Sequence, residues 1–349
     1  MDDAQIPTDA EPGPIETPIA ETVPADVVAQ VRGAVGSVVV GNEQALELLL
    51  VALLCRGHAL LEDVPGVGKT LLARSFARVL GCDFTRVQLT PDVLPSDVTG
   101  SSVFNQATVA FEFRPGPIFT QVLLADEVNR ATPRAQSALL EAMEERQVTV
   151  DGETRPLPEP FLVLATQNPI ELEGTFPLPE AQLDRFLVRV TLGYPDLDEE
   201  HEILRRFERD DVPAPVAVTG PSGVLHLQRE RARVSVSDDV LAYLLEVVRS
   251  TRADDRVALG ASPRAALALH RACQARALLD GRSYVLPDDV KMLAVPVLAH
   301  RISLTASARL RGTSVAGVLG EILERAAVPV EDEDGQGADP PAPRLTAGR

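Results

Sequence analysis

Up to Tyr194 the chain alternates short apolar runs with longer amphipathic stretches, and beyond it the amphipathic stretches continue almost alone. The runs His58–Leu61, Phe84–Gln88, Val122–Ala125, Phe161–Thr166 and Phe186–Val190 have strand length, and three of them are apolar throughout rather than at alternate positions. A strand that is apolar on both sides is buried on both, which is the situation in a parallel sheet covered by helices. The pattern therefore predicts a doubly wound α/β domain. After Tyr194-Pro195-Asp196 the chain reads as mostly helical, with a Pro-containing break from Asp211 to Pro221. Ser237-Asp238-Asp239, Ser262-Pro263 and Pro287-Asp288-Asp289 each precede an apolar run and look like helix starts.

At 349 residues the chain is long enough for two compact domains, an α/β domain over 26–195 and an α-helical one over 196–329. Residues 1–25 and 330–349 are rich in Pro and acids and poor in large apolar groups, so both ends are expected to be disordered acidic tails. They account for much of the net charge of −18, since residues 1–26 hold seven acids and no base. The body has no Lys/Arg-rich run, which argues against a protein whose affinity comes from neutralising phosphates along nucleic acid. With no Trp and only 4% aromatic residues, the core must be aliphatic. Cys55, Cys82 and Cys273 are too far apart for a disulfide framework or a zinc cluster, and a reducing cytoplasm is the simple reading. No targeting segment is found, and no apolar stretch reaches the roughly 18 residues a bilayer span requires. His58, His201, His226, His270 and His300 are scattered without metal-binding spacing, so no transition metal is expected.

The segment Leu60 to Thr70 reads L-L-E-D-V-P-G-V-G-K-T, a strand running into a glycine loop and then a helix, and it resembles a P-loop. Such a loop turns backbone N–H groups toward phosphate, which favours residues without a Cβ at Gly66 and Gly68, and the following helix end adds an anion site. The expected nucleotide contacts are Val64, Pro65, Gly66, Val67, Gly68, Lys69, Thr70 and Leu71. Lys69 would meet the β- and γ-phosphates of ATP, and Thr70 would place its hydroxyl on Mg²⁺. The strict pattern G-x-x-x-x-G-K-[ST] is broken at its first position, which is Asp63. Lysine usage gives separate support: of 33 basic residues only Lys69 and Lys291 are lysines, so Lys69 marks a place where a compact ammonium is needed and a guanidinium is too broad.

A second apolar strand, Val122-Leu123-Leu124-Ala125, ends in Asp126-Glu127 and resembles a Walker B motif. Neighbouring strand positions face opposite ways, so the two acids can divide the work: Asp126 supports Mg²⁺ and Glu127 polarises the attacking water. A third, Phe161 to Thr166, runs into Gln167-Asn168-Pro169. All three chemical segments fall at the carboxyl ends of strands, where ligands bind in open α/β sheets.

Together with A-Q-S-A-L-L-E-A-M-E-E, F-R-P-G-P-I-F, A-T-Q-N-P-I-E-L-E-G-T-F-P-L-P-E-A-Q-L-D-R-F and L-G-A-S-P-R-A, these segments are similar to the MoxR family of AAA+ ATPases over about Val38 to Pro329. The resemblance implies a P-loop AAA+ domain with a parallel sheet flanked by helices and an insertion in helix 2, placed at Thr90 to Phe113, followed by a smaller all-α lid. It implies a β-hairpin before the third strand, and Val148 to Glu153 has the Asp-Gly turn for one. It makes Asn168 the sensor 1 residue, Arg185 the arginine finger and Arg264 the sensor 2 residue. The family comparison further implies an ATPase working as a homo-oligomeric ring, hexameric in type, on a protein client, with von Willebrand factor A domain proteins as frequent partners. Gly41-Asn42 stands where an adenine-side segment would begin or simply caps a helix. Asn129 and Arg130 either touch a neighbouring subunit or start the next helix. A DNA motor and a metal-chelatase-type subunit are the alternative functions, and Arg155 is a poor supply of positive charge for the former.

Overall fold

The computed structural model describes residues 24–64, 66–168, 174–208 and 215–329. Pro65 and nearly all of the two acidic ends lie outside the described residues. The chain opens with helices α1 (Pro24–Gly36) and α2 (Glu43–Leu54), then strand β1 (Ala59–Glu62), α3 (Lys69–Val79) and β2 (Phe84–Gln88). Next come α4 (Pro95–Thr99), β3 (Gly100–Asn105), β4 (Ala110–Pro115), β5 (Val122–Asp126) and α5 (Pro133–Glu145). They are followed by β6 (Gln147–Val150), β7 (Glu153–Pro156), β8 (Leu162–Gln167), α6 (Glu180–Leu183) and β9 (Val188–Val190). The remainder holds α7 (Leu197–Phe207), α8 (Pro221–Arg231), α9 (Asp238–Ala253), β10 (Val257–Leu259), α10 (Pro263–Leu279), α11 (Pro287–Leu298), β11 (Ser303–Leu304), α12 (Ala306–Leu310) and α13 (Val315–Arg325). Helix α1 includes Pro24 and Ala25, two positions inside the expected tail, and a proline suits the first turn of a helix.

The five expected strands form one parallel sheet in the order β2-β5-β8-β1-β9. Their unbroken apolar character has the anticipated cause. Ala59, Leu61, Val122, Leu124, Leu162 and Leu164 point to a core shared with α2, α3 and the lid helices α9 to α11. Their neighbours Leu60, Leu123, Ala125, Val163 and Ala165 point to the other face, under Leu139, Leu140 and Met143 of α5. Both layers are closed to water, and the alternation of two along each strand divides the side chains between them.

The lid helices start where the sequence placed them. The Ser237 hydroxyl accepts from Val240 N–H and that of Ser262 from Ala265 N–H, while the Asp289 carboxylate accepts from Leu286 N–H. A small antiparallel pair, β10 with β11, interrupts the otherwise helical lid and is not legible in the sequence. The insertion after β2 contains a second hairpin, β3–β4, where Phe104 and Phe111 lie opposite each other, edge to face at 5.4 Å, and both are exposed. In the β6–β7 hairpin Asp151 and Gly152 have φ of 53° and 81°, the positive pair that a tight two-residue turn requires.

Candidate active site

The loop between β1 and α3 is shaped by Gly66 and Gly68, at φ 89° and 85°. A Cβ added at either would meet no atom within 4 Å, so the backbone angle demands glycine while the space beside the loop stays open. The first bond inside α3 runs from Leu72 N–H to Gly68 carbonyl at 2.9 Å, which leaves the N–H groups of Lys69, Thr70 and Leu71 ahead of the helical ladder. Lys69 Nζ donates to the carbonyls of Asp63, at 2.8 Å, and Val64, at 3.2 Å, arching back over the loop. Burial pulls the Lys69 pKa below its ordinary value, and the charges of Asp63, Asp126 and Glu127 oppose that shift.

Asp63, the residue that breaks the glycine pattern, is buried and has a task no glycine could perform. One carboxylate oxygen accepts from Val64 N–H at 2.8 Å; the other accepts from Leu192 N–H at 2.6 Å and Gly193 N–H at 2.7 Å. It ties the start of the phosphate loop to the chain leaving β9, the route into the lid.

Asp126 ends β5 on the same face as Leu124, the side packed by α3, which turns its carboxylate toward the loop. One oxygen accepts from the Thr166 hydroxyl at 2.5 Å and the other from Arg86 Nη2 at 2.7 Å. Glu127 follows in the left-handed region at φ 57°, uncommon for a residue with a side chain. Its amide donates to Thr166 Oγ1 at 2.8 Å, and its carboxylate pairs with Arg130 at 3.2 Å. Asn168 is buried directly after β8, and its carbonyl accepts from Asn129 Nδ2 at 3.4 Å. Within the chain Asn129 thus braces Asn168, and Arg130 pairs with Glu127. The sequence offered no sign of Thr166 or Arg86, since a threonine and an arginine within strands look ordinary.

Arg185 and Arg264 lie elsewhere. Arg185 Nε bonds Glu144 at 2.9 Å and Arg264 Nη1 bonds the same carboxylate at 3.0 Å, with Asp184 3.6 Å from Arg264. Glu144 lies in the last turn of α5 beside Met143, whose carbonyl accepts from His58 Nε2, and His58 stands immediately before β1. Leu187 N–H donates to His58 carbonyl just before β9 begins. All of these mark the amino ends of the strands, so the two arginines are together, but a strand length of roughly 17 Å separates them from the edge that carries Lys69. The lid fixes this edge: Arg301 Nη2 donates to the carbonyls of Asp184 and Phe186, and His300 Nε2 donates to Phe186 carbonyl at 2.9 Å. Burial lowers the His300 pKa to about 3 and that of Arg301 to about 10, with Asp184 acting against the latter shift.

A cavity of about 750 Å³ opens between the α1–α2 turn and the lid, bounded among others by Val39, Gly41, Asn42, Leu72 and Met292. Leu72 lies three residues past Lys69 on α3, which puts this wall of the cavity about one helical turn from the phosphate loop. Gly41 has φ 68°, and a Cβ there would strike the Glu199 carboxylate, while Asn42 precedes α2 without a side-chain capping bond. The open glycine loop, the exposed helix start and the adjoining cavity fit a nucleotide, and the oxygen donors Thr70 and Asp126 fit a hard divalent cation. No group of three or more His, Cys, Asp or Glu among the described residues is arranged to hold a metal by itself.

Residues 58–188 match the model of the ATPase family associated with various cellular activities (AAA), and residues 249–322 match the AAA lid domain. The uncharacterized protein YeaC of Bacillus subtilis is 49% identical over 298 residues, covering 85% of this chain and 93% of that one. Chaperone MoxR1 of Mycobacterium tuberculosis is 45% identical over 303 residues, covering 84% and 80%. The crystal structure of a "putative ATPase" from Cytophaga hutchinsonii superposes with a TM-score of 0.83 at 41% identity, covering 88% of this chain and 96% of that one.

Proposed function

This chain belongs to the MoxR family of AAA+ ATPases, and on that premise we propose that it hydrolyses ATP with Mg²⁺ as a ring of identical subunits that remodels a protein client. The base would enter the cavity beside Gly41 and Leu72, and the triphosphate would lie along the glycine loop with Lys69 as its cation. Mg²⁺ held by Thr70 and Asp126 would supply charge neutralisation on the phosphates. Glu127 takes the proton from the attacking water, and Asn168 at the end of the neighbouring strand orients it.

The observation that carries the ring is the separation of the two edges. Each subunit has the loop and acid pair at one edge of its sheet and the paired Arg185 and Arg264 at the other, so a complete site needs the arginines of a neighbour. Mixing subunits tests this. Arg185→Ala and Glu127→Gln rings are each expected to be inactive, and a mixture should recover turnover because some interfaces combine an intact acid pair with an intact arginine. A mixture as inactive as its components would remove the trans assignment.

The client contact is assigned to the β3–β4 hairpin, whose exposed Phe104, Val109 and Phe111 suit an extended polypeptide. The other hairpin is a poor DNA-binding element, because Arg155 already pairs with Glu153 and lies 4.1 Å over the Phe113 ring. A von Willebrand factor A domain partner and a hexameric ring agree with the family assignment, and three buried free thiols suit a cytoplasmic setting. No helix among the described residues is long and apolar enough to cross a membrane.

A further inference from the structure

We propose that Thr166 is a positioning residue that joins the Asp126 carboxylate and the Glu127 backbone into one rigid unit. It rests on the acid-pair reading above and gives a task to a residue that the sequence motifs leave as an ordinary strand position. Thr166 is only 2% exposed, near the end of β8, with its side chain on the same face as Asp126 of the adjoining strand. A hydroxyl has one proton to give, and here it goes to Asp126 Oδ1 at 2.5 Å, within the range of hydrogen bonds to an ionised carboxylate. The lone pair then receives the Glu127 N–H at 2.8 Å. The direction of the chain is thereby fixed: Glu127 amide to Thr166 hydroxyl to Asp126 carboxylate.

Glu127 needs this restraint because its left-handed backbone, φ 57° and ψ 52°, is unfavourable for any residue with a Cβ and persists only where its surroundings enforce it. The turn that follows supplies part of the enforcement, with Arg130 N–H donating to Glu127 carbonyl at 2.9 Å, and Thr166 holds the other end of the same residue. Removing the hydroxyl frees the Glu127 backbone to relax toward the right-handed region, which swings its carboxylate away from the water it polarises. It also releases Asp126 Oδ1, while Oδ2 keeps its bond to Arg86.

Three variants test this. Thr166→Val deletes the hydroxyl at nearly constant shape, Thr166→Ser keeps it, and Thr166→Cys offers only a weak donor should the valine variant not fold. In the nucleotide-free protein, hydrogen exchange at the Glu127 amide is expected to accelerate about 10-fold or more in the Val and Cys variants and to stay near wild type in Ser. Turnover is expected to fall about 10- to 100-fold in Val and Cys with KM within about 3-fold, and Ser is expected to restore it. Unchanged exchange at Glu127, or a Ser variant as impaired as Val, overturns the proposal. Wild-type turnover by Glu127→Gln would instead overturn the acid-pair assignment, while the exchange result would still decide the role of Thr166.

Discussion

At the carboxyl ends of the strands, Lys69, Asp126 and Glu127 stand on or directly beside constrained backbone, two left-handed glycines, a left-handed glutamate and a helix start, with the short buried Thr166 side chain tying the acids together. At the amino ends, Arg185 and Arg264 are positioned by other side chains, through a shared Glu144 and a segment gripped by His300 and Arg301 of the lid. Backbone geometry fixes groups to fractions of an ångström and suits chemistry that tolerates no error. Long side chains on ion pairs can exchange partners, which suits the proposed role, in which the two arginines leave one carboxylate and reach a neighbour's phosphate. One sheet thus separates a rigid half-site from an adjustable one, and substitutions at the two edges should fail in different ways.

The largest effects are expected on turnover. Lys69→Ala and Arg185→Ala should each reduce it by about 10³-fold, but only Lys69→Ala should also weaken nucleotide binding, read by fluorescence of a labelled ATP analogue. Equal loss of binding in both would collapse the distinction between the edges. Asp63→Ala should come next, lowering stability by about 3 kcal/mol in urea unfolding, because it strips the acceptor from three backbone N–H groups at the root of the rigid edge.

Acid should act on the adjustable edge. Burial holds both His58 and His300 neutral, with folded pKa values of about 3 against 6.5 for an ordinary histidine. The unfolded chain binds these protons first, so stability is full above about 6.5, declines by about 1.4 kcal/mol per pH unit for each histidine as pH falls, and the contribution is gone near pH 3. His58→Gln should flatten the pH dependence of the urea midpoint; an unchanged slope would count against a neutral His58. The smallest effect is expected from Glu144→Gln, below about 1 kcal/mol in stability, since the pairs it breaks are partly exposed.

The sequence disclosed what one strand or one turn can disclose. Strands buried on both faces announce themselves by unbroken apolar runs, and Ser237 and Ser262 mark helix starts through bonds to residues three positions on. Hidden were the relations between distant segments. Asp63 read as a flawed glycine motif because its partners Leu192 and Gly193 lie about 130 residues away. Thr166 read as a β-branched strand residue, although its hydroxyl serves an acid 40 residues earlier. Arg185 and Arg264 are singled out by resemblance alone, and nothing local shows that they share Glu144 or stand at the far edge.

The phosphate-loop lysine also has a consequence for covalent chemistry. All three thiols are buried, with burial pushing Cys55 and Cys82 up to about 12 and Cys273 well above its ordinary value, so none is a ready nucleophile at neutral pH. Only two side-chain amines exist, and Lys291 is paired with Asp288 on a helix surface while burial shifts Lys69 toward its free-base form. Protection of Lys69 Nζ against an amine-directed aldehyde or active ester would therefore report directly on occupancy of the loop.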